Sequence, residues 1–116
     1  MKISIATLEQ EFLRVLDKRV EDKDIAKECA HEFAQTTAYG VLSHGVNRFP
    51  VFIGQMDKGD VKPIVKPELV SSLGCIEVYD GNLGIGNLTA KRMMDRAIDL
   101  ADKNGVGIIA LKNTNH

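Results

Sequence analysis

The sequence predicts a mixed α/β fold in which N-terminal helices precede a β pair, a further helix and a buried strand. Three observations predict it. Apolar residues recur at helical spacing in several segments, two short β-forming runs flank Gly74, and Val106–Leu111 is a continuous apolar run. Such a run is typical of a strand covered on both faces. Because that strand needs neighbours on both sides, we expect the sheet to continue in residues outside this chain.

The first two helices are predicted from their caps and their apolar stripes. A capping box that starts at Thr7 places the first helix at Leu8–Val20. Asp22 or Asp24 caps the second helix, and Gly40 ends it. The apolar stripes comprise Leu8, Phe12, Val15 and Leu16 in the first helix, and Ile25, Ala26, Cys29, Ala30, Phe33 and Ala34 in the second. The alanines in the second stripe predict close packing against another helix.

Two interpretations fit the next segment. Ser43 has the side chain of an N-cap for a third helix that ends near Gly59, but Pro50 would then lie inside that helix. An interior proline removes a backbone donor and disfavours the helix. Either the helix kinks at Pro50, or it begins near Phe49 and residues 44–48 form a preceding turn.

In the second half of the chain, the sequence predicts two strands, a helix and the buried strand. The strands are expected near Leu69–Leu73 and Cys75–Tyr79. Asn87 or Thr89 is expected to open the helix, which closes at Asn104-Gly105. A stripe predicted to pack in the core comprises Ala90, Met93, Met94, Ala97, Ile98 and Ala101.

Length and composition restrict the class of protein. The chain has 116 residues, enough for one domain with a core, and a formal net charge of −1 with both signs well mixed. Without a basic stripe or a membrane-length apolar run, we expect no nucleic-acid partner and no membrane partner. Cys29 and Cys75 lack the spacing of a metal site and are expected to be free thiols, with no metal bound. The chain is therefore predicted to be a soluble cytoplasmic domain.

His44 and Arg48 form the best local constellation for chemistry. If their segment is helical, they lie four residues apart on one face. An imidazole can then deliver a proton while a guanidinium holds a carboxylate bidentately beside it. That pairing suits a 2-keto acid, whose carboxylate adjoins the carbonyl group. The alternative is structural: Ser43 caps a helix, and Arg48 is a surface side chain.

Three other features have a functional and a structural interpretation. His116 follows the predicted buried strand, at the sheet edge where α/β proteins bind ligands, but a chain terminus can also be disordered. His31 lies on the polar face of the second helix and is predicted to be solvated. The glycines of Gly81–Gly86 have the wrong spacing for either nucleotide-binding loop, so a flexible turn is the better interpretation.

Three stretches together resemble a known family. They are Ser43-His44-Gly45-Val46-Asn47-Arg48-Phe49-Pro50, then Ile85–Lys91 with Met93–Ala97, and finally Ala110-Leu111-Lys112-Asn113-Thr114-Asn115-His116. They resemble the malate/L-lactate dehydrogenase-like family of NAD(P)H-dependent 2-keto acid reductases, which is distinct from the Rossmann-type lactate dehydrogenases. The resemblance covers essentially the whole chain and implies a fold that is not a Rossmann fold.

The resemblance also implies roles for individual residues. His44 matches the proton donor, and Arg48 matches a residue that holds the carboxylate side of the substrate, with Ser43 beside them. His116 matches a histidine that lines the pocket and that takes the acid/base role in some members, so the identity of the donor stays open. The implied substrate is a 2-keto acid such as 2,3-diketo-L-gulonate, the cofactor is NADH or NADPH, and the implied assembly is a homodimer.

Members of this family are much longer chains than this one. The sequence therefore resembles an N-terminal portion of a reductase, with a helical segment at residues 1–60 and the start of an α/β portion at 61–116. The cofactor would be bound mainly by residues outside this chain. Hydride transfer needs its donor and acceptor held in contact, so we expect the isolated chain to lack reductase activity. The alternative is a non-catalytic dimerisation or binding module derived from the same fold.

Overall fold

A computed structural model describes residues 1–115 and divides them into two compact units, Met1–Ile64 and Val65–Asn115. The first unit is helical, and the second contains the sheet. The helices are α1 (Ile5–Leu16), α2 (Lys23–Ala38), α3 (Phe49–Lys58) and α4 (Gly86–Asn104), and the strands are β1 (Glu68–Leu73), β2 (Ile76–Asp80) and β3 (Ile108–Lys112). Within these described residues, no helix has the length and apolarity needed to span a membrane. The mixed helix and strand architecture is confirmed.

Helix α1 begins and ends earlier than the sequence predicts. Its N-cap is Ser4, whose Oγ accepts a hydrogen bond of 3.1 Å from the Thr7 backbone N–H, so the prediction of a cap at Thr7 is wrong. The helix ends at Leu16 rather than Val20. The chain continues as a turn, in which the Val20 N–H still donates to the Leu16 carbonyl and the Val20 side chain is buried.

Helix α2 agrees with its prediction. The Asp22 carboxylate accepts hydrogen bonds from the backbone N–H groups of Asp24 and Ile25, which confirms one of the two predicted caps. Gly40 follows the helix with a φ of +83°, a conformation that favours glycine. The alanine stripe is buried, as are Cys29 and Phe33. Burial raises the pKa of the Cys29 thiol to about 12, with smaller contributions from nearby glutamates. Both cysteines are free, although Cys75 is only half-buried.

Helix α3 begins at Phe49, which confirms the interpretation with a preceding turn. Pro50 therefore lies in the first helical turn, where a backbone donor has no partner within the helix. Ser43 is not the N-cap of this helix. An aromatic cluster joins α3 to α1 and α2: the ring of Phe49 lies 4.2 Å from that of Phe12 and 5.2 Å from that of Phe33. Phe52 adds a second contact with Phe33 at 5.0 Å between centroids.

The sheet has the order β1-β2-β3. Strands β1 and β2 form the β pair that the sequence predicts and run antiparallel, whereas β2 and β3 are parallel. Parallel neighbours need a crossover connection, and α4 supplies it. The carboxyl ends of β2 and β3 therefore lie next to each other, at the same end of the strands.

Within the described residues the last strand is not covered on both faces, and its expected neighbours outside this chain stay a prediction. Strand β3 lies at one edge of the sheet, and Ile108 is 50% exposed. The stripe predicted for α4 is also open, since Met94 is 62% exposed and Ile98 is 52% exposed. Helix α4 instead buries a narrower set of residues, Gly86, Leu88, Thr89 and Leu100.

The start of α4 also differs from the prediction. The helix begins at Gly86, and neither Asn87 nor Thr89 caps it. Ile85 is the N-cap residue and makes no side-chain capping bond. The Thr89 hydroxyl instead donates back to the Ile85 carbonyl at 2.8 Å, inside the first turn of the helix.

A buried ion pair fastens α4 to β2. Glu77 is only 4% exposed, and its carboxylate accepts two hydrogen bonds from the Arg96 guanidinium, at 2.6 and 2.9 Å. The Tyr79 hydroxyl donates a third bond of 2.9 Å to the same carboxylate. Arg96, and to a smaller extent Tyr79, hold the pKa of Glu77 below its usual value despite the opposing effect of desolvation. The carboxylate is therefore ionised and fully paired in the folded protein.

This pair predicts a pH-dependent contribution to stability. Because the pKa of Glu77 is lower in the folded than in the unfolded chain, its stabilisation is complete above the unfolded pKa and is lost as pH falls through the folded one. We expect Glu77→Gln to destabilise the protein at pH 7 and this difference to shrink once the pH falls below about 4.5. Urea unfolding from pH 7 to pH 3 measures it, with Glu21→Gln, at an exposed glutamate, as control. A difference that stays constant with pH would contradict this role of the ion pair.

Candidate functional site

The segment that carries His44 and Arg48 is a compact series of turns between α2 and α3. We call residues 42–48 the histidine loop. Its backbone bonds have mixed spacing: the Asn47 N–H donates to Leu42, five residues back, while the Arg48 N–H donates to Gly45, three residues back. The loop is therefore not a regular helix, and of the two interpretations the one in which residues 44–48 form a turn before α3 is observed. Both residues nevertheless belong to one tightly bonded segment.

Ser43 contacts the imidazole of His44 rather than capping a helix. The Ser43 Oγ lies 3.0 Å from His44 Nδ1, and the tautomer decides which atom donates. A doubly protonated ring donates from Nδ1 to the hydroxyl, whereas a ring without a proton on Nδ1 accepts from it. In both cases Nδ1 is engaged with Ser43. Both side chains lie on the exposed part of the loop.

Arg48 connects the histidine loop to α3. It is half-buried and occupies the N-cap position of that helix. The following residue, Phe49, is buried in the aromatic cluster, and its N–H donates to the Gly45 carbonyl at 3.1 Å. The backbone at Arg48 is therefore held between the loop and the core.

Thr37 and Gly45 fasten the histidine loop to the last turn of α2. The Thr37 Oγ1 donates to the Phe33 carbonyl at 2.8 Å and accepts from the Val46 N–H at 2.9 Å. Gly45 is buried against the same residue. A Cβ added to Gly45 would lie 2.9 Å from the Thr37 nitrogen and 3.0 Å from its Cα, which leaves no space for a side chain. Sequence reasoning missed both residues, although a glycine inside a polar motif is a signal of close backbone approach.

At the carboxyl ends of β2 and β3, the chain that follows β3 is hydrogen-bonded to the segment that follows β2. Backbone N–H groups of Gly81, Leu83 and Gly86 donate to carbonyls of residues 112, 113 and 115, at 2.8 to 3.0 Å. A Cβ on Gly86 would lie 2.9 Å from the Asn115 oxygen. These amides are therefore unavailable to a phosphate group, in agreement with the prediction that Gly81–Gly86 is not a nucleotide loop. The segment is tied down by these bonds, unlike the flexible turn predicted.

Asp80 is bonded to both segments at the carboxyl ends of β2 and β3. Its carboxylate accepts a bond of 2.8 Å from the Asn82 N–H and one of 2.9 Å from the Asn113 side-chain amide. These two bonds lower the pKa of Asp80, with a smaller contribution from Lys112. Positive φ angles at Asn82, Leu83 and Asn113 accompany the tight path of both segments. The proposed site residue His116 lies outside the described residues.

The remaining histidine has an ordinary surface environment. His31 is exposed, as the sequence predicts, and its Nδ1 lies 3.2 Å from a carboxylate oxygen of Glu9. Among residues 1–115, no three His, Cys, Asp or Glu side chains are grouped as metal ligands. The histidine loop carries both an imidazole and a guanidinium on one hydrogen-bonded segment.

The chain matches the sequence profile of the malate/L-lactate dehydrogenase family over residues 3–116. Similar proteins include the 2,3-diketo-L-gulonate reductases of Pasteurella multocida and Mannheimia succiniciproducens. Each is 59% identical over all 116 residues, which make up 35% of the relative's length. The chain therefore spans about a third of the length of these relatives.

Solved structures of dehydrogenases are also similar to the whole chain. The sulfolactate dehydrogenase of Methanocaldococcus jannaschii superposes with a TM-score of 0.91 at 32% identity, covering all of this chain and 34% of that one. The malate dehydrogenase of Entamoeba histolytica superposes with a TM-score of 0.89 at 30% identity, covering all of this chain and 32% of that one.

The close approach of Gly45 to Thr37 predicts a large effect of one methyl group. We expect Gly45→Ala to lower the free energy of unfolding by about 1–3 kcal/mol, because the loop must move away from α2 backbone atoms that cannot yield. The matched control is Gly54→Ala in α3, where an added Cβ meets no atom within 4 Å. There we expect a gain of up to about 1 kcal/mol from helix propensity. Equal effects of the two substitutions in urea unfolding would contradict the tight contact.

Proposed function

Because the chain belongs to the malate/L-lactate dehydrogenase family, we propose that it supplies the substrate-side groups of a nicotinamide-dependent reductase that acts on 2-keto acids. The observation that carries this proposal is the histidine loop. It places an imidazole, already engaged at Nδ1 by Ser43, on the same bonded segment as the Arg48 guanidinium. A proton donor and an anion-binding group on one support are what the reduction of a ketone beside a carboxylate requires.

Each residue of the loop has a separate task in this proposal. Arg48 binds the substrate carboxylate through paired charge-assisted hydrogen bonds and so orients the adjacent ketone. His44 gives the proton on Nε2 to the ketone oxygen as that oxygen gains negative charge and becomes a hydroxyl group. Ser43 holds Nδ1 and thereby the plane of the ring. His116 is the second candidate for the acid, on the basis of its motif alone.

The substrate we propose is 2,3-diketo-L-gulonate or a close relative. The support is the name shared by the bacterial relatives at 59% identity, together with a match that runs through every residue of this chain. The carboxylate-binding role of Arg48 is common to any 2-keto acid, so it supports the substrate class rather than the individual sugar acid.

NADH or NADPH is the cofactor we propose, and the described residues do not themselves fit it. The one glycine-rich turn between a strand and a helix in residues 1–115 has its amides bonded to the segment after β3. We therefore assign cofactor binding mainly to residues outside this chain. When bound, the nicotinamide supplies the hydride, and this chain contributes the proton and the hold on the carboxylate.

A second candidate is a non-catalytic dimerisation or binding module. The open apolar side of α4 and β3 favours it, because exposed Met94, Ile98 and Ile108 are suited to association with another surface. A homodimer is compatible with both candidates. Only the reductase candidate assigns Arg48 and His44 a role in binding a 2-keto acid.

Titration with the substrate separates the two candidates. We expect 2,3-diketo-L-gulonate to shift the NMR signals of the His44 ring and the Arg48 side chain in the 116-residue chain. Arg48→Ala should weaken binding about 10- to 100-fold, the loss of a charge-assisted hydrogen bond. Arg14→Ala, which removes an exposed arginine paired with Glu11 in α1, is the matched control and should leave the dissociation constant unchanged.

Two results would contradict the proposal. One is the absence of any shift at His44 and Arg48 at millimolar substrate. The other is an equal loss of affinity in Arg14→Ala and Arg48→Ala, which would indicate non-specific attraction of an anion. In the same samples, NADH should not be oxidised above background, because we assign most of the cofactor site to residues outside this chain. Turnover would contradict the assignment of the cofactor site to residues outside this chain.

A further inference from the structure

We propose that Thr37 is a positioning residue for the reaction, although it lies in α2 and outside the histidine loop. This inference rests on the proposed function of His44 and Arg48. Its basis is the double role of one hydroxyl group: Thr37 Oγ1 donates to the Phe33 carbonyl at 2.8 Å and accepts from the Val46 N–H at 2.9 Å. The hydroxyl therefore joins the backbone of α2 directly to the backbone of the loop.

The bond matters because of where Thr37 contacts the loop. Val46 lies midway between the two functional side chains, two residues after His44 and two before Arg48. A bond at this amide therefore sets the position of both groups at once. Loss of the bond would let the imidazole and the guanidinium shift relative to one substrate molecule, and displacements of about 1 Å can reduce catalysis about a hundredfold.

Gly45 brings the loop into close contact with α2. Its Cα lies so close to α2 that an added Cβ would fall 2.9 Å from the Thr37 nitrogen and 3.0 Å from its Cα. The hydroxyl bonds the loop to α2, and the atoms of Thr37 block a closer approach of Gly45. The helix end is itself held firmly, since Phe33 packs among three aromatic rings one turn earlier.

The chemistry of the side chain separates positioning from packing. Valine has nearly the shape of threonine, but it leaves the Val46 N–H without its acceptor. Serine keeps the oxygen and loses only a methyl group. If Thr37 acts through its hydroxyl, serine should rescue what valine loses. If Thr37 merely fills space, valine should be the better substitute.

The test compares Thr37→Val and Thr37→Ser in the 116-residue chain, titrated with 2,3-diketo-L-gulonate and observed by NMR at His44 and Arg48. We expect Thr37→Val to weaken binding about tenfold or more and Thr37→Ser to stay within about twofold of wild type. Thr36→Val is the matched control, the same chemical change at the neighbouring residue, and should bind as wild type. Thermal unfolding of each variant verifies that binding is measured on folded protein.

Each outcome decides between the two proposals. Wild-type affinity in Thr37→Val, or an equal loss in the valine and serine variants, would overturn the positioning role and leave the proposed function standing. If the wild-type chain itself fails to bind, the proposed function fails, and the role of Thr37 fails with it. Should Thr37→Val not fold, Thr37→Ala replaces it. Alanine also removes the hydroxyl, suits a helix, and should show the same loss of affinity.

Discussion

The close contact between Gly45 and Thr37 is the constraint on which the proposed site depends. A glycine brings the histidine loop against the last turn of α2, and the Thr37 hydroxyl bonds the next amide along the chain. Without that contact the loop would be a surface connection with two polar side chains. With it, His44 and Arg48 lie on a backbone fixed to the last turn of α2, and a catalytic constellation needs support of that kind.

The rest of the helical unit can be understood as the means of holding α2 in place. The alanines of its stripe are fully buried, and the aromatic cluster around Phe33 joins it to α1 and α3. The same cluster holds Phe49, the residue that follows Arg48, so the core fixes the end of the loop as well as the helix before it. The sheet unit has its own fastening, the buried Glu77–Arg96 pair between β2 and α4.

Local signals in the sequence predicted much of this fold and part of the site. Asp22 and the alanine stripe located α2, and Pro50 correctly indicated that a turn could precede α3. Thr37 was missed because its partner, the Val46 amide, is nine residues away and is brought near only by the turns between them. The stripe on α4 was misjudged because periodicity shows which side chains share a face, not whether anything covers that face.

Hydrogen exchange of the Val46 amide tests most directly whether that amide is bonded to Thr37 in the folded protein. Exchange rates measured by NMR at neutral pH report the protection of single amides. We expect the Val46 amide to exchange as slowly as the buried interior amides of α2, such as that of Ala34. Exchange of Val46 at the rate of an unstructured peptide, with α2 still protected, would contradict it.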